Sequence, residues 1–159
     1  MIYYVSGDLL ESDSEALVNA VNCVGIMGKG IALSFKKKFP NMFLQYKEAC
    51  SLKLIRPGKV SIYRINDSLN TRYIINFPTK DHWRQKSRLS YISEGLKDLV
   101  RVIDKYHISS IAIPMLGCGN GGLNWNDVRE LIEFFLSDLN CSVYVYGPSN
   151  RLNRKTGEL

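Results

Sequence analysis

An α/β fold is predicted for this 159-residue chain, and three observations carry the prediction. Strand-like and helix-like segments alternate along the sequence. The middle strand-like segments are nearly continuous apolar runs, as expected of strands covered by helices on both faces. Two glycine-rich loops, at 25–30 and 117–122, each follow a strand-like run and open into a helix-like one. A single domain is expected at this length, and 45% hydrophobic residues supply a full core.

Residues 2–6 read as the first strand and 16–22 as the second. Two shorter helices follow at 30–38 and 40–50. They are separated at Phe39-Pro40, with Pro40 in the first turn, where its missing N–H costs nothing. Strands are expected at 59–64 and 72–77. Leu89, Ile92, Leu96, Leu99, Val100 and Ile103 then recur at helical spacing, giving an amphipathic helix over 90–106. His107 stands at the end of that helix, where capping is its expected role. A strand at 110–115 precedes the second glycine loop. Val128, Leu131, Ile132, Phe135, Leu136 and Leu139 mark the last helix. Asn124 is its expected N-cap, and Asp127 favours its positive end. A strand at 142–147 closes the fold. No repeat and no linker is evident; residues 149–159 are polar and expected to fray, or to be the stump of a longer protein.

The formal charge of +6 and pI near 9.2 permit an acidic partner such as a nucleotide or nucleic acid. The densest basic stretches, Lys36-Lys37-Lys38 and Arg84-Gln85-Lys86-Ser87-Arg88, read as a solvated helix face and a polar loop. The longest apolar runs are far too short to span a bilayer, so no membrane partner is expected. The N-terminus lacks the features of a signal peptide. Cys23, Cys50, Cys118 and Cys141 form no CxxC pair. A disulfide framework would be unusual with so much core, and a reduced, cytoplasmic protein is expected. No His/Asp/Glu cluster has metal-ligand spacing, and no cofactor is expected.

The glycine loops carry the chemistry. Glycine lets a backbone approach a ligand closely, and a helix starting behind the loop points free N–H groups and a positive dipole end forward. That is an anion site, and two of them suggest a pyrophosphate held from both sides; two tight turns without a ligand are the alternative. Gly117, Gly119 and Gly122 formally match G-x-G-x-x-G, but no carboxylate ends the next strand, Cys141-Ser142-Val143-Tyr144-Val145-Tyr146, to hold a ribose. A Rossmann site is excluded. Gly28-Lys29 is followed by Gly30 rather than Ser or Thr, which excludes a P-loop.

Four motifs in order, Gly7-Asp8-Leu9-Leu10, Val18-Asn19-Ala20-Val21-Asn22, Gly28-Lys29-Gly30-Ile31-Ala32 and Pro114-Met115-Leu116-Gly117-Cys118-Gly119, resemble a macrodomain. The resemblance covers residues 1–148, leaving 149–159 as a polar tail. It implies an α/β/α sandwich around a mixed, mostly parallel sheet of about six strands, with an ADP-ribose cleft at the strand ends. Phe39-Pro40, Asn76-Phe77-Pro78-Thr79-Lys80 and the segment 117–125 are similar to one branch of that family. It holds the terminal ADP-ribose protein glycohydrolase, the DNA ADP-ribosyl glycohydrolase antitoxins paired with ADP-ribosyltransferase toxins, and the ADP-ribose-1''-phosphate phosphatase. By resemblance, Asp8 accepts from the adenine amino group, with Leu9 beside it; an ionised carboxylate suits an exocyclic NH₂. Asn19 and Asn22, taken as ending the second strand, read ribose hydroxyls. Gly28, Lys29 and Gly30 form one phosphate loop, and Gly117, Cys118, Gly119, Asn120, Gly121 and Gly122 the other. Thr79 joins the binding set, and Lys80 matches the lysine that attacks the anomeric carbon of the distal ribose.

One departure bears on substrate. The protein-directed glycohydrolase of this branch carries an aspartate two positions after Gly-Cys-Gly, where this chain has Gly121. The DNA-directed antitoxins lack it, so the resemblance implies removal of ADP-ribose from thymidine in DNA. Implied partners are ADP-ribose, its modified substrate, single-stranded DNA and a cognate ADP-ribosyltransferase toxin. The alternatives are hydrolysis of glutamate-linked ADP-ribose, O-acetyl-ADP-ribose or ADP-ribose-1''-phosphate, and a non-catalytic ADP-ribose reader. Trp83 can stack on a base and Arg84 can meet phosphate, against local packing of the aromatic. His82 lies beside Lys80. Cys118 sits where a helix N-terminus lowers a thiol pKa, but without a partner histidine it is read as packing under its loop.

Overall fold

The computed structural model describes residues 1–66 and 70–149. Six strands form one sheet: β1 (Ile2–Tyr4), β2 (Ala16–Val21), β3 (Ser61–Arg64), β4 (Tyr73–Pro78), β5 (Ser110–Ile113) and β6 (Ser142–Val145). Their order is β1-β6-β5-β2-β4-β3, and all pairs are parallel except β3 with β4. Helices α1 (Gly30–Lys38), α2 (Pro40–Ser51), α3 (Leu89–Lys105) and α4 (Trp125–Leu136) complete the fold. This is the expected mixed, mostly parallel sheet of six strands.

The alternation of side chains along each strand divides the core into two layers. Ala16, Val18, Ile75, Phe77, Ile111 and Ile113 face one layer with Ile92, Leu96, Leu99, Val128 and Ile132 of α3 and α4. Leu17, Val21, Ile74 and Ala112 face the other, with Phe35, Met42 and Tyr46 of α1 and α2. Both faces are covered, which is why the central strands read as unbroken apolar runs. Gly95 lets α3 lie close on the sheet: a Cβ there would fall inside contact distance of the Phe77 ring.

The helix ends follow their sequence signals. Asn124 caps α4, its side-chain oxygen accepting from Asn126 N at 2.9 Å. His107 does close α3, but through its backbone. It takes φ 52°, its N–H donates to Asp104 O at 3.3 Å, and Ile108 N donates to Ile103 O at 3.0 Å, the paired bonds of a Schellman motif. Lys53 at φ 56° closes α2 the same way. The expected strands at 2–6, 110–115 and 142–147 each end about two residues early, because the chain there turns into the strand-end loops. Among the described residues no helix is long and apolar enough to cross a membrane. The polar tail beyond Ser149, residues 150–159, lies outside the described residues.

Candidate functional site

All five parallel strands point the same way, and every site residue expected from the sequence, Asn19 excepted, follows the C-terminal end of one of them. Gly7-Asp8-Leu9 follows β1, Asn22–Gly30 follows β2, Thr79–Lys80 follows β4 and Gly117–Gly122 follows β5. β5 and β2 are neighbours, yet the chain leaves β2 for the α1/α2 layer and leaves β5 for the α3/α4 layer. Connections that diverge from adjacent strands open a crevice between them, the usual ligand site of a parallel sheet. The two glycine loops are its walls.

Each wall presents backbone donors. In the later loop, Cys118 N, Gly122 N and Leu123 N are bound to Met115 O, Gly119 O and Gly117 O. Among the described residues, the amides of Gly119, Asn120 and Gly121 have no such acceptor. Gly117 and Gly122 take φ 73° and 77°, the left-handed conformations that bend this run into a concave nest. Gly121 is glycine for a different reason. A Cβ there would fall inside contact distance of Ser87 Oγ and the Gly117 carbonyl oxygen, and 2.8 Å from the Gly117 carbonyl carbon. In the earlier loop, Lys29 occupies the N-cap of α1 without a side-chain cap bond, and Gly30 takes φ 58°. The first amides of α1 are therefore left facing the crevice with the positive end of the helix behind them.

Asn22 is the organiser of the earlier loop. Its side-chain oxygen accepts from Val24 N at 3.0 Å and Ile26 N at 3.5 Å, and its NH₂ donates to Ile26 O at 2.8 Å. The Tyr46 hydroxyl donates to that oxygen at 2.8 Å. Its amide is engaged in shaping the loop. Asn19 departs further from expectation, because it lies within β2 rather than at its end and is fully buried. The register sets it opposite Asn76, and its NH₂ donates to Asn76 Oδ1 at 3.1 Å. This buried amide pair offers no surface to a ligand, so the ribose contact expected of Asn19 is corrected to a cross-strand tie beneath the crevice.

Lys80 follows β4 and is half-buried. Its segment is strapped to both glycine loops. Thr79 N donates to Val21 O at 2.9 Å, Cys23 N to Asp81 O at 3.2 Å, and Ser87 N to Gly121 O at 3.0 Å. Lys80 Nζ donates to Trp83 O at 3.4 Å. Thr79 itself is buried. Cys118 does not behave as a helix-activated thiol: burial, aided by Asp127, pushes its pKa up to about 12. The packing role is the one the structure fits.

At the β1 end, Asp8 is exposed and caps a short 3-10 turn, Leu9–Glu11, its Oδ1 accepting from Leu10 N at 3.0 Å. One carboxylate oxygen is so engaged, and the other remains available. Leu9 is buried beneath it. Two neighbours were not anticipated from sequence. Tyr146, just past β6, is half-buried and borders a hollow of about 470 Å³ with Gly7 and Gly147. Ser87 supports the later loop from below. The signal for Tyr146 was an aromatic directly after the last strand and before a glycine; nothing local marks Ser87. A larger hollow of about 740 Å³ lies beside Lys38, Met42 and Tyr63, and neither glycine loop lines it.

Residues 18–132 match the family model described as Macro domain. Over 150 residues the chain is 51% identical to the DNA ADP-ribosyl glycohydrolase of Mycobacterium tuberculosis, covering 94% of this chain and 43% of that protein. The solved macrodomain of Mycobacterium tuberculosis DarG aligns with a TM-score of 0.89, covering 94% of this chain and 99% of that one. A structure of Thermosipho africanus DarTG in complex with ADP-ribose aligns at 34% identity and TM-score 0.89, covering 99% of this chain and 44% of that one. The ADP-ribose glycohydrolase OARD1 of Homo sapiens is 30% identical over 151 residues, covering 90% of each chain. The chain thus spans less than half the length of the bacterial curated relatives it matches. With the crevice, its two amide-lined walls and these matches in agreement, the chain belongs to the macro domain family.

Proposed function

We propose that residues 1–148 form a macrodomain that binds ADP-ribose and hydrolyses its link to a base of DNA. The observation that carries the reading is the placement of Lys80 beside two walls of unpaired amides. The strand order supports this reading, in which Asp8 and Tyr146 serve adenine, the two glycine loops the diphosphate and Lys80 the distal ribose. Backbone amides can hold the diphosphate without a side-chain cation. Lys80 is the group proposed to attack. Its amine adds to the anomeric carbon as the carbon–nitrogen bond to the base breaks, and a proton of the attacking nitrogen passes to the departing base nitrogen. The ribose ring then opens to a Schiff base, which borohydride can reduce, and water hydrolyses that imine, freeing ADP-ribose and the amine.

The DNA substrate is supported by the 51% identity to a DNA ADP-ribosyl glycohydrolase and by the packing at position 121. An aspartate cannot stand there while Ser87 Oγ and the Gly117 carbonyl hold their places. The protein-directed relative is more distant, at 30% identity. A single-stranded DNA substrate suits the basic segment beside Lys80, and an ADP-ribosyltransferase toxin is the proposed partner; a relative from Thermosipho africanus, 35% identical, is a DNA ADP-ribosyl transferase–DNA ADP-ribosyl glycohydrolase fusion protein. A cytoplasmic location is supported by four free cysteines.

The test is a turnover panel of thymidine-linked, glutamate-linked and phosphate-linked ADP-ribose. We expect the DNA substrate to be fastest. Lys80→Ala should keep ADP-ribose affinity within a few-fold yet lose at least about a hundredfold in turnover, and borohydride should trap an adduct on the wild-type protein. Near-wild-type turnover by Lys80→Ala would remove the lysine from the mechanism. Faster turnover of the glutamate-linked substrate would overturn the DNA assignment.

A further inference from the structure

The segment after Lys80 is built as a platform. Trp83 is 42% exposed, an unusual solvent bill for an indole, yet it is held on both sides along the chain. The His82 ring lies 5.5 Å from it at 28°, and the Arg84 guanidinium sits 4.7 Å from its centroid. The turn beneath is fixed by Arg84 N donating to His82 Nδ1 at 3.1 Å and Gln85 N to His82 O at 3.0 Å. Lys80 Nζ reaches back to the Trp83 carbonyl, so the platform stands beside the reacting end of the crevice. Across from it, Cys23 is bonded to Lys80 O and Asp81 O, and the next residues bring up two further exposed apolar side chains, Val24 and Ile26 at 42% and 45%. Arg84, Lys86 and Arg88 are all exposed on the same segment. Exposed rings among cations, rigidly mounted, are the elements of a single-strand binding surface.

We propose that Trp83, with Arg84, forms a subsite for the nucleotide flanking the modified base. The base of that neighbour stacks on the indole in the place the guanidinium now covers, and Arg84 turns to its phosphate. This rests on the DNA reading above and adds to it: the domain recognises the strand as well as the ADP-ribose. The substrate is then an ADP-ribosylated base within single-stranded DNA, and a modified nucleoside alone forgoes part of the binding.

Binding separates this from catalysis. Affinities of the protein are measured by calorimetry for ADP-ribose, and by fluorescence anisotropy for a ten-nucleotide single strand carrying one ADP-ribosylated thymidine, both on the Lys80→Ala background so that the strand is not consumed. The strand should bind about tenfold more tightly than ADP-ribose, the scale of one base–aromatic stack. Trp83→Ala should erase that advantage while ADP-ribose affinity stays within twofold, which also shows the variant is folded. Trp83→Phe should restore most of it, and Arg84→Gln should flatten the salt dependence by about one phosphate contact. Equal affinity for strand and ADP-ribose, or a strand advantage that survives Trp83→Ala, would overturn the subsite. A wild-type protein that shows the Trp83-dependent advantage but turns over no modified DNA would keep the subsite and overturn the glycohydrolase reading alone.

Discussion

Gly121→Ala adds one methyl group at the point where the two segments of the site touch. Gly121 lies outside the left-handed region, so the backbone tolerates alanine there, and the loss of unfolded-state freedom would favour it by about 0.4–1 kcal/mol. Sterics oppose this. The new Cβ would overlap Ser87 Oγ and the Gly117 carbonyl oxygen, and real Cβ atoms essentially never come within 3.0 Å of a neighbour. Reaching that limit moves the Gly117 carbonyl by about half an ångström, because a backbone atom cannot rotate away as the buried Ser87 hydroxyl can. Overpacking of this kind costs about 1–3 kcal/mol, leaving a net loss of up to about 2.6 kcal/mol and about 1.3 kcal/mol at the middle of both ranges. For a chain of this size the middle value lowers Tm by about 3–5 °C. The displaced atoms belong to the nest, so ADP-ribose affinity should fall at least about tenfold. Gly119→Ala is the matched control, since its Cβ meets nothing within 4 Å; its Tm should stay near wild type. Adding Ser87→Ala to Gly121→Ala should recover only part of the loss, because the carbonyl clash remains. Thermal melts and calorimetry on the four proteins decide the matter. A Gly121→Ala protein no worse than Gly119→Ala would refute the claim that this contact fixes the loop.

Asp8→Ala should weaken ADP-ribose binding by about 1.5–3 kcal/mol by calorimetry, the worth of a hydrogen bond to a charged group, and unchanged affinity would leave Asp8 as a turn cap only. Asn19→Ala should leave that affinity unchanged but cost about 1–3 kcal/mol in urea denaturation, because Asn76 Oδ1 loses its buried donor; a selective loss of affinity would return Asn19 to the ligand. Burial pushes the Cys23 and Cys118 thiols from 9.0 up to about 12. A thiol held protonated by the fold stabilises it fully below the unfolded pKa and ceases to do so as pH rises from 9.0 toward about 12. Stability should therefore decline through that window, and iodoacetamide at pH 8 should label both thiols slowly until the protein is denatured. Rapid labelling of the native protein would contradict the buried, neutral assignment.

What the sequence revealed about this site depended on the range of the interaction involved. The N-cap at Asn124, the break at Phe39-Pro40 and the glycine loops depend on neighbours a few residues away, and each was legible. The burial of Asn19 was not, because it depends on which face of β2 it occupies and on Asn76 standing opposite, 57 residues later. Asn22 and Asn19 look alike in the sequence, three positions apart, yet that odd spacing sends them to opposite sides of a strand if the strand continues. β2 ends at Val21, and so Asn22 is free to fold back on its own loop. Cys118 was read correctly for a local reason, the lack of a partner histidine, and the burial that desolvates its thiol agrees with that reading.

The parallel register explains why so small a domain can hold a long ligand. Adjacent strands lie about 4.8 Å apart, and β1, β6, β5, β2 and β4 stand in that order with their loops on one edge. Crossing from the Asp8 turn to Lys80 takes four strand spacings, about 19 Å, each step adding one loop from a different part of the chain. The order sets distant parts of the chain side by side: the loops after β1 and β6 are neighbours, while the loops holding Asp8 and Asn22 are separated by two strands. The order also puts Lys80 at β4, next to the antiparallel edge strand β3, where no further parallel strand follows. The loop after β4 is therefore the last wall of the crevice, and on the proposed reading it is the first surface a strand of DNA would meet.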